Sequence, residues 1–574
     1  MYKFSLSKQF FKDVWYLTKS YWQSEEKKKA FFLLGCIIAL TLGIVYMLVL
    51  LNQWNNSFYS ALQNYETDKI YDELIHFSWL AAIYIIMAVY SYYLQQTLIL
   101  NWRRWLTTRF IDIWLKNKTY YQLQMFGKDT DNPDQRISED VRLFVEMTLS
   151  FSVGILKSFC TFASFVVILY RLSGPYTFQA FGQTWTIEGY LFWAALVYSI
   201  IGTYITHIVG RKLVSLNFVQ QRYEADFRFS MIRLRESAES VAFYRGEAQE
   251  GLVFKERFKL LLENFWRLVN KQKQLVWLNS GYSQIAIIFP FVAAMSRYLK
   301  REFTLGGLMQ VSSAFGNVQG ALSYFVDMYT SIAAWQAVVM RLTYFGRHMQ
   351  EVSAEAERFH LERFATSSAV SAEGMQVNLP DGTPLLQNIC FTLKPGKNVL
   401  IKGVSGSGKS TLLRAIAGIW PFVDGKINLP ESDKLMFIPQ KPYIPLGTLR
   451  EALLYPGTKP MTDAALKKLM ETCQIGYLQD KLDLVADWSH VLSVGEQQRL
   501  AFVRAHIQEP AWLFLDEATS ALDEETEAIM YKLLAERLLR TTVVSVGHRS
   551  TLNKFHENVL LLNKQEKSVT LENL

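Results

Sequence analysis

Six stretches of this chain are too long and too apolar for the core of an ordinary water-soluble fold. They lie at about residues 31–51, 77–99, 148–170, 190–210, 277–299 and 308–330. A bilayer crossing takes about 20 mostly apolar residues, and within hydrocarbon only a helix or a closed barrel satisfies its own backbone. The spacing predicts an all-α membrane domain of six spans. Beyond Glu351 the pattern changes to short apolar runs broken by Gly, Pro and charge, which reads as a water-exposed α/β domain. A chain of 574 residues also exceeds what one core supports. The expected organisation is an interfacial lead-in helix at 1–30, a membrane domain at 31–345, a linker at 346–374 and an α/β domain at 375–574.

The net charge of +8 does not point to nucleic acid, because the Lys and Arg cluster in particular loops between spans. The lead-in is rich in Lys, the second loop contains NWRRWLTTRF, and the fourth contains GRKL and FRFSMIRLRE. Basic loops stay on the cytoplasmic side. The first outer loop is net acidic and the third is almost free of basic residues. The fifth, SRYLKREF, is an exception with Arg297, Lys300 and Arg301. The other loops outvote it, so both termini and the α/β domain are expected in the cytoplasm. The N-terminus lacks an apolar core followed by a cleavage site and reads as retained. The four cysteines, Cys36, Cys160, Cys390 and Cys473, show no metal or disulfide spacing.

Within the spans, Lys157 sits mid-helix, where an unpaired charge costs roughly 2.5–3.5 kcal/mol on insertion scales. Asp327, Gln310, Asn317 and Gln319 lie along the sixth span. Two readings stand for them: a polar substrate path, or hydrogen bonds between helices. The segment EADFRFSMIRLRESAESVAFYRGEAQE in the fourth loop has two readings as well. It is a solvated helix face or a surface that docks on the soluble domain.

The α/β half carries sharper signals. NVLIKGVSGSGKSTLLRAIAG runs strand, glycine loop, helix, the setting in which backbone N–H groups close around phosphates. The candidate nucleotide ligands there are Gly403, Val404, Ser405, Gly406, Ser407, Gly408, Lys409, Ser410 and Thr411. Lys409 reaches the β- and γ-phosphates, and Ser410 offers its hydroxyl to Mg²⁺. Downstream, AWLFLDEATSALD is a buried strand that ends in two carboxylates. Asp516 is placed for Mg²⁺ and Glu517 for polarising an attacking water as general base. His548, after VVSVG, stands at another strand end within reach of a γ-phosphate.

Taken in order, Gly403–Ser410, Gln440 in FIPQKPY, LSVGEQQR at 492–499, LFLDE at 513–517, SALD ending at Asp523, and His548 resemble the ATP-binding cassette. With six spans ahead of it, the chain is identified as a member of the ABC half-transporters, over essentially its full length. NPDQRISEDV at 132–141, NWRRWLTTRF and FIPQKPYIPLGTLREALLYP narrow the resemblance to subfamily D and the bacterial YddA-type group. Relatives in that group handle cobalamin, peptides or fatty acyl-CoA.

The resemblance implies a homodimer with ATP and Mg²⁺, seated in the lipid bilayer of a bacterial inner membrane. The layout is exporter-like (type IV), and the cargo would be a small-molecule or peptide substrate, not nucleic acid. It also implies that two cassettes associate head to tail. Ser493, Gly495 and Glu496, at the start of the signature helix, together with Asp523, then serve the nucleotide held by the partner. Gln440 reaches Mg²⁺ and the water. The pattern departs from the common one in two places. The signature reads LSVGE where LSGGQ is usual, and the position that often stacks an aromatic on adenine is Leu379. An acyl-CoA transporter and an ATP-gated channel are the competing readings.

Overall fold

A computed structural model describes the chain except for residues 1–7, 127–131, 181–182, 357–360, 365–367, 432–433, 458 and 460. It divides into two compact units, 1–112 with 131–346, and 113–130 with 347–574.

The first unit is helical. After α1 (Lys8–Trp22) come α2 (Lys27–Gln63), α3 (Thr67–Leu115), α4 (Val141–Ser173), α5 (Tyr190–Glu236), α6 (Glu247–Leu299), α7 (Leu305–Asp327) and α8 (Tyr329–Ala356). Among the described residues, five helical stretches are long and apolar enough to cross a membrane: Lys27–Gln63, Thr67–Phe126, Pro133–Ser173, Tyr190–Glu236 and Glu247–Met295. They contain the first four expected spans and most of the fifth, 277–299, as far as Met295. The sixth expected span falls on α7, which is helical but diluted by Gly, Ser and amide side chains, and it is not among the five. The α6 helix continues through Pro290.

The expected lead-in helix forms as α1. It buries Phe10, Leu17 and Tyr21 and leaves Phe11 and Trp15 exposed, an amphipathic face set against the bundle. Tyr21 stacks on Trp102 of α3 with ring centroids 5.4 Å apart. The third loop, between α4 and α5, holds an antiparallel hairpin of β1 (Pro175–Ala180) and β2 (Gln183–Glu188).

The basic exception in the fifth loop has a structural role. Arg297 donates to the carbonyls of Leu172 and Ser173 at the end of α4 and bonds Glu302 at 2.6 Å. A cation at a helix C-terminus satisfies carbonyls that lack partners in the helix and complements the dipole. Its position meets this local demand.

The segment 132–141 turns on Asp140, only 1% exposed. Arg136 donates to it at 2.6 Å, and Arg341 from α8 grips both of its oxygens at 2.8 and 2.6 Å. Bidentate pairing of this kind is what makes a buried carboxylate tolerable.

The second unit is the α/β domain. A six-stranded sheet runs in the order β12 (Ser568–Asn573), β11 (Asn558–Asn563), β6 (Val399–Gly403), β10 (Thr542–Val546), β9 (Trp512–Asp516), β8 (Leu435–Ile438). All its neighbours are parallel except β11 and β12. VLI, WLFL and TVVSV are buried without alternation, as central parallel strands covered on both faces must be.

A second sheet orders β3 (Leu361–Phe364), β7 (Val423–Asn428), β4 (Val370–Asn378) and β5 (Pro384–Leu393). The stretch read as a linker, 346–374, therefore carries the end of α8, strand β3 and the start of β4. Parts of it, 357–360 and 365–367, lie outside the described residues.

The short helix Thr119–Phe126, which follows α3, belongs to this second unit. Phe126 packs on Phe422 at 4.7 Å, and Lys118 donates to the Ala417 carbonyl. In the fourth loop, by contrast, Phe243 and Tyr244 of the helix Ala238–Tyr244 are 80% and 87% exposed.

Candidate active site

The parallel order β6–β10–β9–β8 brings four loops to one edge of the sheet, at the carboxyl ends of the strands, where open α/β sheets bind their ligands. After β6 the chain turns through the glycine loop into α9 (Lys409–Ala417). Gly406 and Gly408 have φ of 74° and 96°, which a side chain adopts only under strain. A Cβ on Gly403 would stand 2.7 Å from the Ser407 hydroxyl and 2.8 Å from the Leu562 carbonyl. Ser407 is itself buried with a hydroxyl that has no partner in the chain. The loop is thus a cradle with an unspent donor.

Lys409 is 7% exposed, and its ammonium bonds the loop's own carbonyls at Gly403 and Val404, at 2.9 and 3.2 Å. Burial pushes its pKa down, opposed by Glu517 and Asp516. Ser410 donates to Asp516 at 2.8 Å. Burial raises the Asp516 carboxyl above the usual range, partly offset by that hydrogen bond.

Glu517, one residue past β9, sits at φ 50°, an unusual conformation for a residue with a side chain, and its N–H is tied to the Val546 carbonyl. The Gln440 amide donates to it at 3.1 Å, and the His548 ring lies 3.5 Å from its other oxygen. Gln440, Glu517 and His548 are therefore brought together, with Lys409, Ser410 and Asp516 alongside. This set fits a polyphosphate with Mg²⁺, since that metal is held by one or two carboxylates and hydroxyls plus substrate oxygens.

Ser493 is the N-cap of α10 (Val494–Gln508) in a reciprocal capping box with Glu496. Its N–H and hydroxyl both bond the Glu496 carboxylate at 2.7 Å, and the Tyr477 hydroxyl holds the other Glu496 oxygen. Val494 is 48% exposed, so its bulk, in place of the usual glycine, points outward. A Cβ on Gly495 would stand 3.2 Å from the Ala521 carbonyl. Asp523 caps α11 (Glu524–Arg537) by accepting from the Thr526 N–H, which holds its carboxyl below the usual range. Leu379 lies in the turn after β4.

One residue went unread in the sequence. Gln498, one turn into α10 and fully buried, donates to the Gln440 carbonyl at 3.0 Å and to the Ser520 hydroxyl at 3.3 Å. Its own oxygen accepts the Ala521 N–H at 3.0 Å.

This arrangement defines an ATP-hydrolysing cassette. Residues 17–299 match the family model described as ABC transporter transmembrane region 2, and residues 386–520 match that described as ABC transporter. An uncharacterised ABC transporter ATP-binding protein of Haemophilus influenzae is 35% identical over 555 residues, covering 96% of this chain and 92% of that one. The inner membrane ABC transporter ATP-binding protein YddA of Escherichia coli is 33% identical over 535 residues, covering 93% and 94%. The human lysosomal cobalamin transporter ABCD4 is 27% identical over 583 residues, covering 94% and 92%. The chain belongs to the ABC transporters, with a membrane region fused to an ATP-binding domain, and it is similar to the YddA-type and subfamily D members. It is an ATPase that drives transport.

Proposed function

We propose that the protein is a homodimeric, six-span transporter of exporter-like layout in a bacterial inner membrane, with both termini and the ATPase domain cytoplasmic. It would move a hydrophilic or amphipathic solute such as cobalamin or a peptide. The observation that carries the ATPase half is the meeting of Gln440, Glu517 and His548 around one carboxylate beside the glycine loop. Glu517 takes the proton of the attacking water, and Gln440 and His548 hold its carboxylate in place. N–H groups of the loop and the Lys409 ammonium bind the phosphates. Ser410, Asp516 and Gln440 would hold Mg²⁺, which supplies neutralisation of charge on the phosphate oxygens.

Ser493, Gly495, Glu496 and Asp523 form no part of that cluster and are left to face a partner's nucleotide. Two nucleotides between two cassettes would then draw the subunits together, and hydrolysis would release them.

A polar cavity of about 100 Å³ between α5, α6 and α7 gives a hydrogen-bonding lining, too small to hold cobalamin or a peptide but suited to a polar path. Thr203, Thr206, Asn279, Ser283, Gln319 and Ser323 line it, and none of its described lining is charged. Gln319 bonds only one turn along its own helix, to Ser323, and Asn317 does the same to Ser313. The Tyr282 hydroxyl at the cavity is buried without a partner. These groups favour a polar path over bonding between helices. The retained Glu517 and His548 favour a pump over an ATP-gated channel.

Reconstituted protein is the test. Glu517→Gln should lose ATPase activity by about 100-fold or more while still binding ATP, a loss in the range of removing a general base. Wild-type vesicles of either orientation should accumulate labelled cobalamin or a peptide in preference to acyl-CoA. Undiminished hydrolysis in the variant would remove Glu517 as base, and uptake of acyl-CoA alone would overturn the cargo.

A further inference from the structure

Gln498 belongs to the helix that Ser493 opens, yet its three bonds go elsewhere. Its amide nitrogen holds the backbone carbonyl of Gln440 and the hydroxyl of Ser520, and its oxygen takes the N–H of Ala521. Gln440 follows β8 and carries the side chain that donates to Glu517. Ser520 and Ala521 lie in the turn that leaves Glu517, and the Ser520 N–H bonds the Glu517 carbonyl at 3.0 Å. That turn ends at Asp523, the cap of α11. A single fully buried carboxamide therefore joins the signature helix to both loops that set the position of Glu517.

We propose that Gln498 is the positioning residue that fixes Gln440 against Glu517 and ties this catalytic pair to the signature helix. The inference rests on the catalytic reading of Gln440 and Glu517 given above. A buried amide with both ends used has few other arrangements, because turning it over would set donor against donor and acceptor against acceptor. It therefore holds one geometry. Any displacement of α10, whose first turn is expected to face the partner's nucleotide, is carried to the carbonyl of Gln440. The amide side chain of Gln440 moves with its backbone, so hydrolysis at one site is geared to engagement at the other.

Gln498→Met keeps the volume and removes all three bonds, leaving the Gln440 carbonyl and Ala521 N–H unmet. In the reconstituted full-length protein we expect kcat for ATP to fall 10- to 100-fold, with KM and fluorescent-ATP binding within threefold of wild type. In a Gln440→Ala background the same change should cost less than twofold more, because the residue it positions is gone. Gln498→Glu, nearly isosteric, keeps the acceptor for Ala521 and puts an oxygen against the Gln440 carbonyl. It should lose kcat in the same way, and it serves where the Met variant does not fold.

An unchanged kcat in a folded Gln498 variant would overturn the inference. So would losses that simply multiply in the double variant, or a loss expressed in KM alone. If Gln440→Ala by itself leaves kcat intact, the catalytic reading of that residue fails instead, and the two failures stay distinct.

Discussion

At the scale of single residues, burial decides what each titratable group can do. His506 is buried on α10 and its ring nitrogen Nε2 has no partner. Burial, with Arg537 nearby, pushes its pKa down to about 4. His556 is held low by burial as well, bonded to the Leu552 carbonyl and the Ser545 hydroxyl. A base with a depressed folded pKa is neutral in the fold and gains its proton on unfolding. Its stabilising share is complete above the ordinary value of 6.5 and drains away as pH falls toward about 4. Urea titrations of the protein should therefore show stability falling below pH 6.5, by up to about 1.4 kcal/mol per pH unit for each such histidine. His506→Phe should flatten that slope, and an unaltered slope would mean that the ring is hydrated. The phosphate-loop residues were legible in the sequence because their chemistry is local: strand, glycines, Lys and Ser are consecutive. Gln498 was not, because its partners at 440, 520 and 521 stand on separate loops with no fixed spacing.

At the scale of elements, period and charge read the long helices well and their ends badly. Four of the five membrane-competent helical stretches contain an expected span and the fifth overlaps one, since apolar length is a property of the segment alone. The hairpin of β1 and β2 escaped notice in a loop read only for its charge. Arg297, which stands out in the count of basic residues, caps α4, a contact that shows only in the fold. The segment 132–141 was visible as a motif, but its purpose depends on Arg341, about 200 residues away in sequence and found only in the fold. Replacing both Arg136 and Arg341 by Met would strand the Asp140 carboxylate. We expect a loss of about 3–5 kcal/mol, read as a lower melting temperature of the purified protein. An unshifted melt would show that water reaches Asp140.

At the scale of the whole molecule, one chain presents one glycine loop and one signature helix, so each composite site of the proposed homodimer would draw on two copies. Dimers mixed from Lys409→Ala and Ser493→Ala chains should regain part of the ATPase activity that each homodimer lacks. In such a dimer one of the two composite sites is intact, and activity near half of wild type is expected. Absence of any recovery would argue against head-to-tail sites. The order of the cassette motifs carries the family, whereas the allegiance of residues 113–130 to the ATPase unit is hidden by their place between two spans.

The clasp on Ser493 bears on how such a dimer would close. Its hydroxyl is already spoken for by a carboxylate, itself steadied by Tyr477. In the proposed head-to-tail site, an arriving γ-phosphate would have to win that hydroxyl from an anion that also repels it. In the proposed dimer closure would then be harder than with a neutral amide at position 496, and the separated state would be the one to which the transporter returns between turnovers.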